Sequence, residues 1–138
     1  DYILTREDYF NRQTFPDEIG RNSYYIDIHL SEEEVEEAKE GKIDMGVRNA
    51  NYGKGESHGI PYRCLTPRGI SNLLVAGRSI SCDRTVQGSV RVMPVCLVTG
   101  QAAGTAAALA CAQDEVDVHA LNIDALRKTL RENGAYFL

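Results

Sequence analysis

Between residues 92 and 113 the chain carries no charged side chain, and glycine and alanine dominate the second half of that stretch. An apolar run this long forms a helix that needs cover, from lipid or from protein. About twenty apolar residues are enough to span a bilayer. Here, however, the run includes Pro94, Thr99, Gln101 and Thr105, and its bulk is alanine, which is only weakly lipophilic. Flanking lysines and aromatic anchors are missing too. The expectation is a helix buried inside a soluble protein, with no membrane partner.

Charge narrows the function classes. The formal net charge is -5 and the basic residues are scattered, whereas phosphate-backbone binding needs clustered Lys and Arg. No nucleic-acid partner is expected. The cysteines at 64, 82, 96 and 111 show no CxxC spacing and no paired histidine, so no metal site is expected and the thiols read as reduced and mostly buried. The chain opens on Asp1 and reads as a piece of a longer polypeptide. No charged segment followed by an apolar one leads it, which leaves the compartment open with the cytoplasm as default.

Residues 1–22 read as short helical turns. Thr5 caps the run from Arg6 to Phe10, and Pro16-Asp17-Glu18 repeats the start signal. Residues 24–30 read as a strand, with Tyr24, Ile26, Ile28 and Leu30 on one face and Tyr25, Asp27 and His29 on the other. Ser31 with Glu34 forms a capping box opening an acidic segment to about Lys39. Residues 41–55 read as loop. Residues 59–67 read as an extended edge strand, since Pro61 and Pro67 cannot donate to a ladder. The apolar run Asn72-Leu73-Leu74-Val75-Ala76-Gly77 has the composition of a buried parallel strand. Residues 78–91 then form a polar loop holding three arginines. A final amphipathic helix covers about residues 122–132, with Leu121, Ala125, Leu126, Thr129 and Leu130 on its stripe and Gly134 at its C-cap.

A buried strand ending in glycine, a polar loop and a Gly/Ala-rich helix make a cofactor-shaped arrangement. In open α/β sheets, ligands bind beyond the carboxyl ends of strands. Gly77 lets backbone approach a ligand, and a helix starting near residues 91–94 aims free N–H groups at what lies before it. Gly100 and Gly104 leave one helix face flat, and Gly104 is expected to pack against the strand holding Leu74. A tightly packed strand–helix unit with no ligand has the same composition.

The segments Ile60-Pro61-Tyr62-Arg63, Asn72-Leu73-Leu74-Val75-Ala76-Gly77-Arg78 and Gly100-Gln101-Ala102-Ala103-Gly104-Thr105-Ala106-Ala107, in this order and spacing, resemble the FAD-dependent oxidoreductase family. That family is related to the group containing fumarate reductase and glutathione-reductase-like flavoproteins. The match is strongest over about residues 56–112. The resemblance implies an α/β, mixed α+β, chain: the last parallel strand and cofactor-facing helix of a Rossmann-like FAD domain in residues 71–138, and part of a substrate or cap domain in residues 1–70. It implies FAD as cofactor, with Gly77 and Arg78 near its ribityl and pyrophosphate and the Val92 and Met93 amides at the pyrimidine end of the ring. A helix N-terminus there stabilises the negative charge that develops at N1 and O2 on reduction. Pro94 fits early in such a helix because no intrahelical bond is lost.

The family's GxGxxG fingerprint is absent. Gly53-Lys54-Gly55-Glu56-Ser57-His58-Gly59 has one residue too many, follows no strand and precedes no helix. The remainder of the same polypeptide is therefore the expected partner, beside a small-molecule substrate, and FAD is not expected to stay with this chain alone. His58, Arg84 and Arg91 are the candidate catalytic side chains: an imidazole able to move a proton, and two arginines able to hold a substrate carboxylate or the flavin. Tyr62 and Arg63 fall on the substrate side of the resemblance; His29 reads as a surface pair and His119 as a helix-entry residue. A non-catalytic α/β nucleotide- or protein-binding module is the alternative reading.

Overall fold

The computed structural model describes residues 1–29, 31–40 and 51–138. Residue 30 and most of the expected 41–55 loop lie outside the described residues. At the N-terminus, α1 (Arg6–Phe10) starts as its residues dictate: the Thr5 hydroxyl accepts the Asp8 N–H at 3.3 Å and the Asp8 carboxylate accepts the Thr5 N–H at 2.8 Å. The second start signal fails. Residues 16–17 turn instead into β1 (Glu18–Asn22), which pairs antiparallel with β2 (His58–Pro61), with a bulge between Glu18 and Gly20. The two carboxylates are taken by arginines instead of capping a helix, Arg63 from far along the chain and Arg21 from three residues on. Asp17 holds the Arg63 guanidinium at 2.9 Å, and Glu18, fully buried, holds Arg21 at 2.9 Å. The edge strand expected over 59–67 is thus short; a 3-10 turn, Tyr62–Cys64, ends it after Pro61.

Residues 24–29 join no strand. Their expected alternation survives in burial, with Ile26 buried and Tyr25 and His29 exposed. The strand is missing because the segment's neighbour is a helix: the Asp27 N–H donates to the Gly88 carbonyl at 3.3 Å. The capping box forms, Ser31 and Glu34 bonding reciprocally at 2.9 and 3.2 Å, and α2 (Glu32–Lys39) follows. Residues 78–91 are not the expected loop. A 3-10 turn, Gly77–Ser79, leads to α3 (Arg84–Val90), whose cap Asp83 accepts the Val86 N–H at 2.8 Å. The same carboxylate takes the Arg6 N–H at 2.6 Å, so one aspartate serves the starts of α1 and α3.

The uncharged run forms α4 (Met93–Ala110). Its buried stripe is Val95, Thr99, Ala102, Ala106 and Ala110, packed on β1 and on α5 (Ile123–Glu132). Gly20 permits that contact: a Cβ there would stand 2.3 Å from Val98 Cγ1. The opposite face is open, with Met93 and Leu97 each 74% exposed. The expected burial therefore holds for one face alone, and a Cβ added at Gly100 or Gly104 would meet nothing within 4 Å. Gly104 does not pack on Leu74. Among the described residues α4 is the helix long and apolar enough to cross a membrane, with 28% of it buried. The terminal helix matches its pattern: Asn122 caps it at Ala125, Leu126 and Leu130 are buried, and Gly134 closes it at φ +89° with its N–H on the Arg131 carbonyl.

Residues 72–76 form no ladder among the described residues. Val75 donates to the Leu65 carbonyl at 2.8 Å, and Leu73 is 45% exposed. A parallel strand needs neighbours to take its remaining polar groups, and no described segment lies in position to do so. The molecule is a mixed fold with a small two-stranded antiparallel sheet, compatible with the α/β class but without the expected parallel strand.

Candidate functional site

The start of α4 collects four of the residues singled out in the sequence. Val92 is extended at φ -76° and ψ 156° and supplies no side-chain cap; Pro94 sits in the first turn. The first intrahelical bond runs from Cys96 N–H to the Val92 carbonyl at 3.1 Å. The Met93 and Val95 amides thus precede any intrahelical acceptor, as the first N–H groups of every helix do. Gly77 lies against the same turns, its N–H donating to Thr99 Oγ1 at 3.0 Å. Its φ of +69° is a left-handed conformation that favours glycine, and a Cβ there would meet only Cys96 Sγ, at 4.0 Å. Arg78 Nε donates to the Arg91 carbonyl at 3.3 Å, which ties the 77–79 turn to the residue before the helix. Gly77, Arg78, Val92 and Met93 therefore share one end of α4, although no strand delivers Gly77 there.

Arg84 and Arg91 point elsewhere, toward the 27–34 segment. Arg91 donates to the Asp27 carbonyl at 2.9 Å and lies 3.7 Å from its carboxylate. Arg84 pairs with Glu34, and that hydrogen bond, helped by the Ser31 N–H, lowers the Glu34 carboxyl to about 2. His29, mostly exposed, lies 3.7 Å from the other Asp27 oxygen. Asp27, His29, Arg84 and Arg91 border a cavity of about 160 Å³ beside Gly88. A buried polar chain fixes the segment on α3: Asn22 donates to Ser89 at 2.7 Å, and Ser89 donates to the Tyr24 carbonyl at 2.6 Å. Asp27 and Glu34 are the partners that sequence reading missed. The only signal for them was their place near the expected strand and cap, because pairing over such distances along the chain leaves no local pattern.

His58 joins neither group. It opens β2 opposite Asn22 and is fully buried. Its Nδ1 shares a hydrogen with the Tyr52 hydroxyl at 2.5 Å, and its Nε2 has no partner among the described residues. Burial, helped by the charge of Arg21, lowers the imidazole to about 4. Tyr62 donates to the Val118 carbonyl at 2.9 Å, Arg63 is held by Asp17, and His119 bonds Asp1 at 2.6 Å; all three serve packing of the chain on itself.

All four cysteines are free, Cys64 buried and Cys111 exposed, and no group of three metal-ligating side chains occurs among the described residues. No curated protein and no solved structure matches the chain significantly. The family model described as FAD dependent oxidoreductase matches residues 1–130. That span covers nearly the whole 138-residue chain, with the α4 start and both arginine pairs inside it, and the chain belongs to the FAD-dependent oxidoreductase family.

Proposed function

We propose that this chain is the C-terminal portion of a longer flavin-dependent oxidoreductase and closes one side of its FAD pocket with the start of α4. The observation that carries the reading is the uncapped α4 N-terminus standing beside left-handed Gly77. Free amides, the positive end of an eighteen-residue helix and the side chain of Arg78 form a donor set suited to an electron-rich, partly anionic group. No Cβ at Gly77 stands in front of it. The residues present fit FAD.

In this reading the Val92 and Met93 backbone meets the pyrimidine edge of the flavin, and Gly77 and Arg78 meet its ribityl and pyrophosphate. FAD, when bound, supplies the redox chemistry; this chain supplies position and electrostatics. The α4 amides and dipole favour negative charge at the ring edge. Arg91, its carbonyl on Arg78 and its guanidinium on Asp27, links the α4 start to the 27–29 segment. Residues 1–70 contribute to the substrate side and residues 71–138 to the FAD side. The remainder of the polypeptide supplies the absent GxGxxG unit, the strand neighbours that residues 72–76 lack, and protein cover for the open face of α4. Glycine, alanine and Gln101 on that face favour close protein packing over lipid.

Met93→Pro in the flavin-loaded full-length protein is the direct test. Proline is tolerated at the first helical position and deletes one N–H with no loss of an intrahelical bond. FAD affinity should fall about tenfold, as expected for a hydrogen bond to a charged group, and the flavin midpoint potential should drop, with the apo-protein melting temperature unchanged. An unaltered affinity and potential would overturn the placement.

A further inference from the structure

Thr99 is the one polar side chain in the buried stripe of α4, and its hydroxyl has two tasks. As a donor it gives its hydrogen to the Val95 carbonyl at 2.8 Å, with the Cys96 carbonyl of the same turn at 3.3 Å. As an acceptor it takes the Gly77 N–H at 3.0 Å. A hydroxyl carries a single hydrogen, so with that hydrogen spent on α4 the oxygen meets Gly77 as an acceptor only. Thr105 is the contrast. Its hydroxyl bonds Gln101 of its own helix and no other described segment.

What Thr99 grips is the entry to the 77–79 turn. Ala76 is extended at φ -130° and ψ 176°, and the chain turns at Gly77, φ +69°. Residues 72–76 form no ladder among the described residues, so no sheet there fixes where the turn stands. Two further bonds tie it to its surroundings, Arg78 Nε to the Arg91 carbonyl at 3.3 Å and Gln87 Nε2 to the Arg78 carbonyl at 3.4 Å. Both are long and exposed, where water competes for the same groups. The Thr99 bond is shorter, comes from a fully buried side chain and acts on backbone.

We propose that Thr99 is a positioning residue of the cofactor site: its hydroxyl fixes the Gly77 peptide on α4 and so holds the turn and the helix start in register before FAD arrives. The inference rests on the placement of FAD given above, and it adds what keeps the two contacting segments, 77–78 and 92–93, at one spacing. A ligand that bridges two segments binds more tightly when their spacing is set in advance, because the cost of ordering them is not met on binding. Thr99 stands about 10 Å along the helix axis from Val92, at about 1.5 Å per residue, so it acts through Gly77 and not on the ring edge. It also takes the Gly77 N–H out of the set of donors open to the cofactor.

Three substitutions test this. Thr99→Val keeps the shape and removes the acceptor, Thr99→Ala removes it with a better helix former, and Thr99→Ser keeps the hydroxyl. In this chain, hydrogen exchange at the Gly77 amide should quicken about tenfold in the Val and Ala variants and hold the wild-type rate in Thr99→Ser. In the flavin-loaded full-length protein, the Kd for FAD should rise about tenfold with Val or Ala. The visible circular dichroism of the bound flavin, which reports its surroundings and not global stability, should change with it. Thr99→Ser should restore both.

Equal Gly77 exchange in wild type and Thr99→Val would overturn the grip itself. Quickened exchange with unchanged FAD affinity and flavin dichroism would overturn the positioning role, and so would a loss that Thr99→Ser does not restore, since that marks packing alone. Met93→Pro separates this proposal from the placement beneath it. If Met93→Pro weakens FAD binding and Thr99→Val does not, only the role of Thr99 fails; if neither does, the placement fails with it.

Discussion

A Cβ placed on Gly88 would stand 2.8 Å from Ile28 Cγ1 and 2.9 Å from the Asp27 carbonyl oxygen, closer than real Cβ contacts come. The second of those is backbone, so the 27–28 segment itself has to move. Gly88→Ala should destabilise the chain by about 1–3 kcal/mol through overpacking. It should also loosen the Arg91–Asp27 contact, which depends on that segment lying flat on α3. Denaturant unfolding measures the first effect; an unchanged midpoint would mean the segment is not packed as described. Residue-level signals divide cleanly by range. Thr5, Ser31 and Gly134 act within a few residues of themselves, and their roles were readable from the sequence. Asp17 and Gly88 act on partners brought up by the fold, and the sequence misassigned the first and passed over the second. His58 belongs with them: the sequence left it just outside the expected edge strand, while strand pairing and Tyr52 bury it.

At the scale of elements, the helices were easier to read than the strands. The α4 and α5 patterns extend over several turns and fix the element without outside help. Residues 24–29 and 72–76 have strand composition, but a strand exists only with a partner, and neither segment finds one among the described residues. The open face of α4 carries the same lesson. Gly104 looked like a packing residue, yet a Cβ there meets nothing within 4 Å. Gly104→Ala in this chain should therefore be neutral or stabilise it by up to about 1 kcal/mol, the helix-propensity difference. In the proposed longer flavoprotein the cover lies on that face, and Gly104→Leu should lower the melting temperature there while leaving this chain nearly unaffected. Thermal melts of both proteins decide it. Equal small effects in the two would mean the face stays open in the assembled protein as well.

At the scale of the whole molecule, family membership rests on a match across residues 1–130, while the physical means of gripping FAD are only partly present. In the proposed placement, the α4 start offers a few amides, a helix dipole and Arg78 to one side of the cofactor. The chain has no GxGxxG loop opening a helix after a strand, and that unit carries the pyrophosphate in dinucleotide-binding folds. Binding a large cofactor through one edge leaves most of its surface in water, and the few contacts must still offset the lost translational and rotational freedom, roughly 4–15 kcal/mol. The 138-residue chain purified alone should accordingly be colourless, and added FAD should come off on desalting. Supplying the GxGxxG-bearing remainder as a separate polypeptide should restore flavin absorbance to the complex, and Met93→Pro should weaken that recovery. Stoichiometric yellow protein from the chain alone would show that the contacts around α4 suffice, and would remove the reason for assigning the main grip on FAD to another part of the polypeptide.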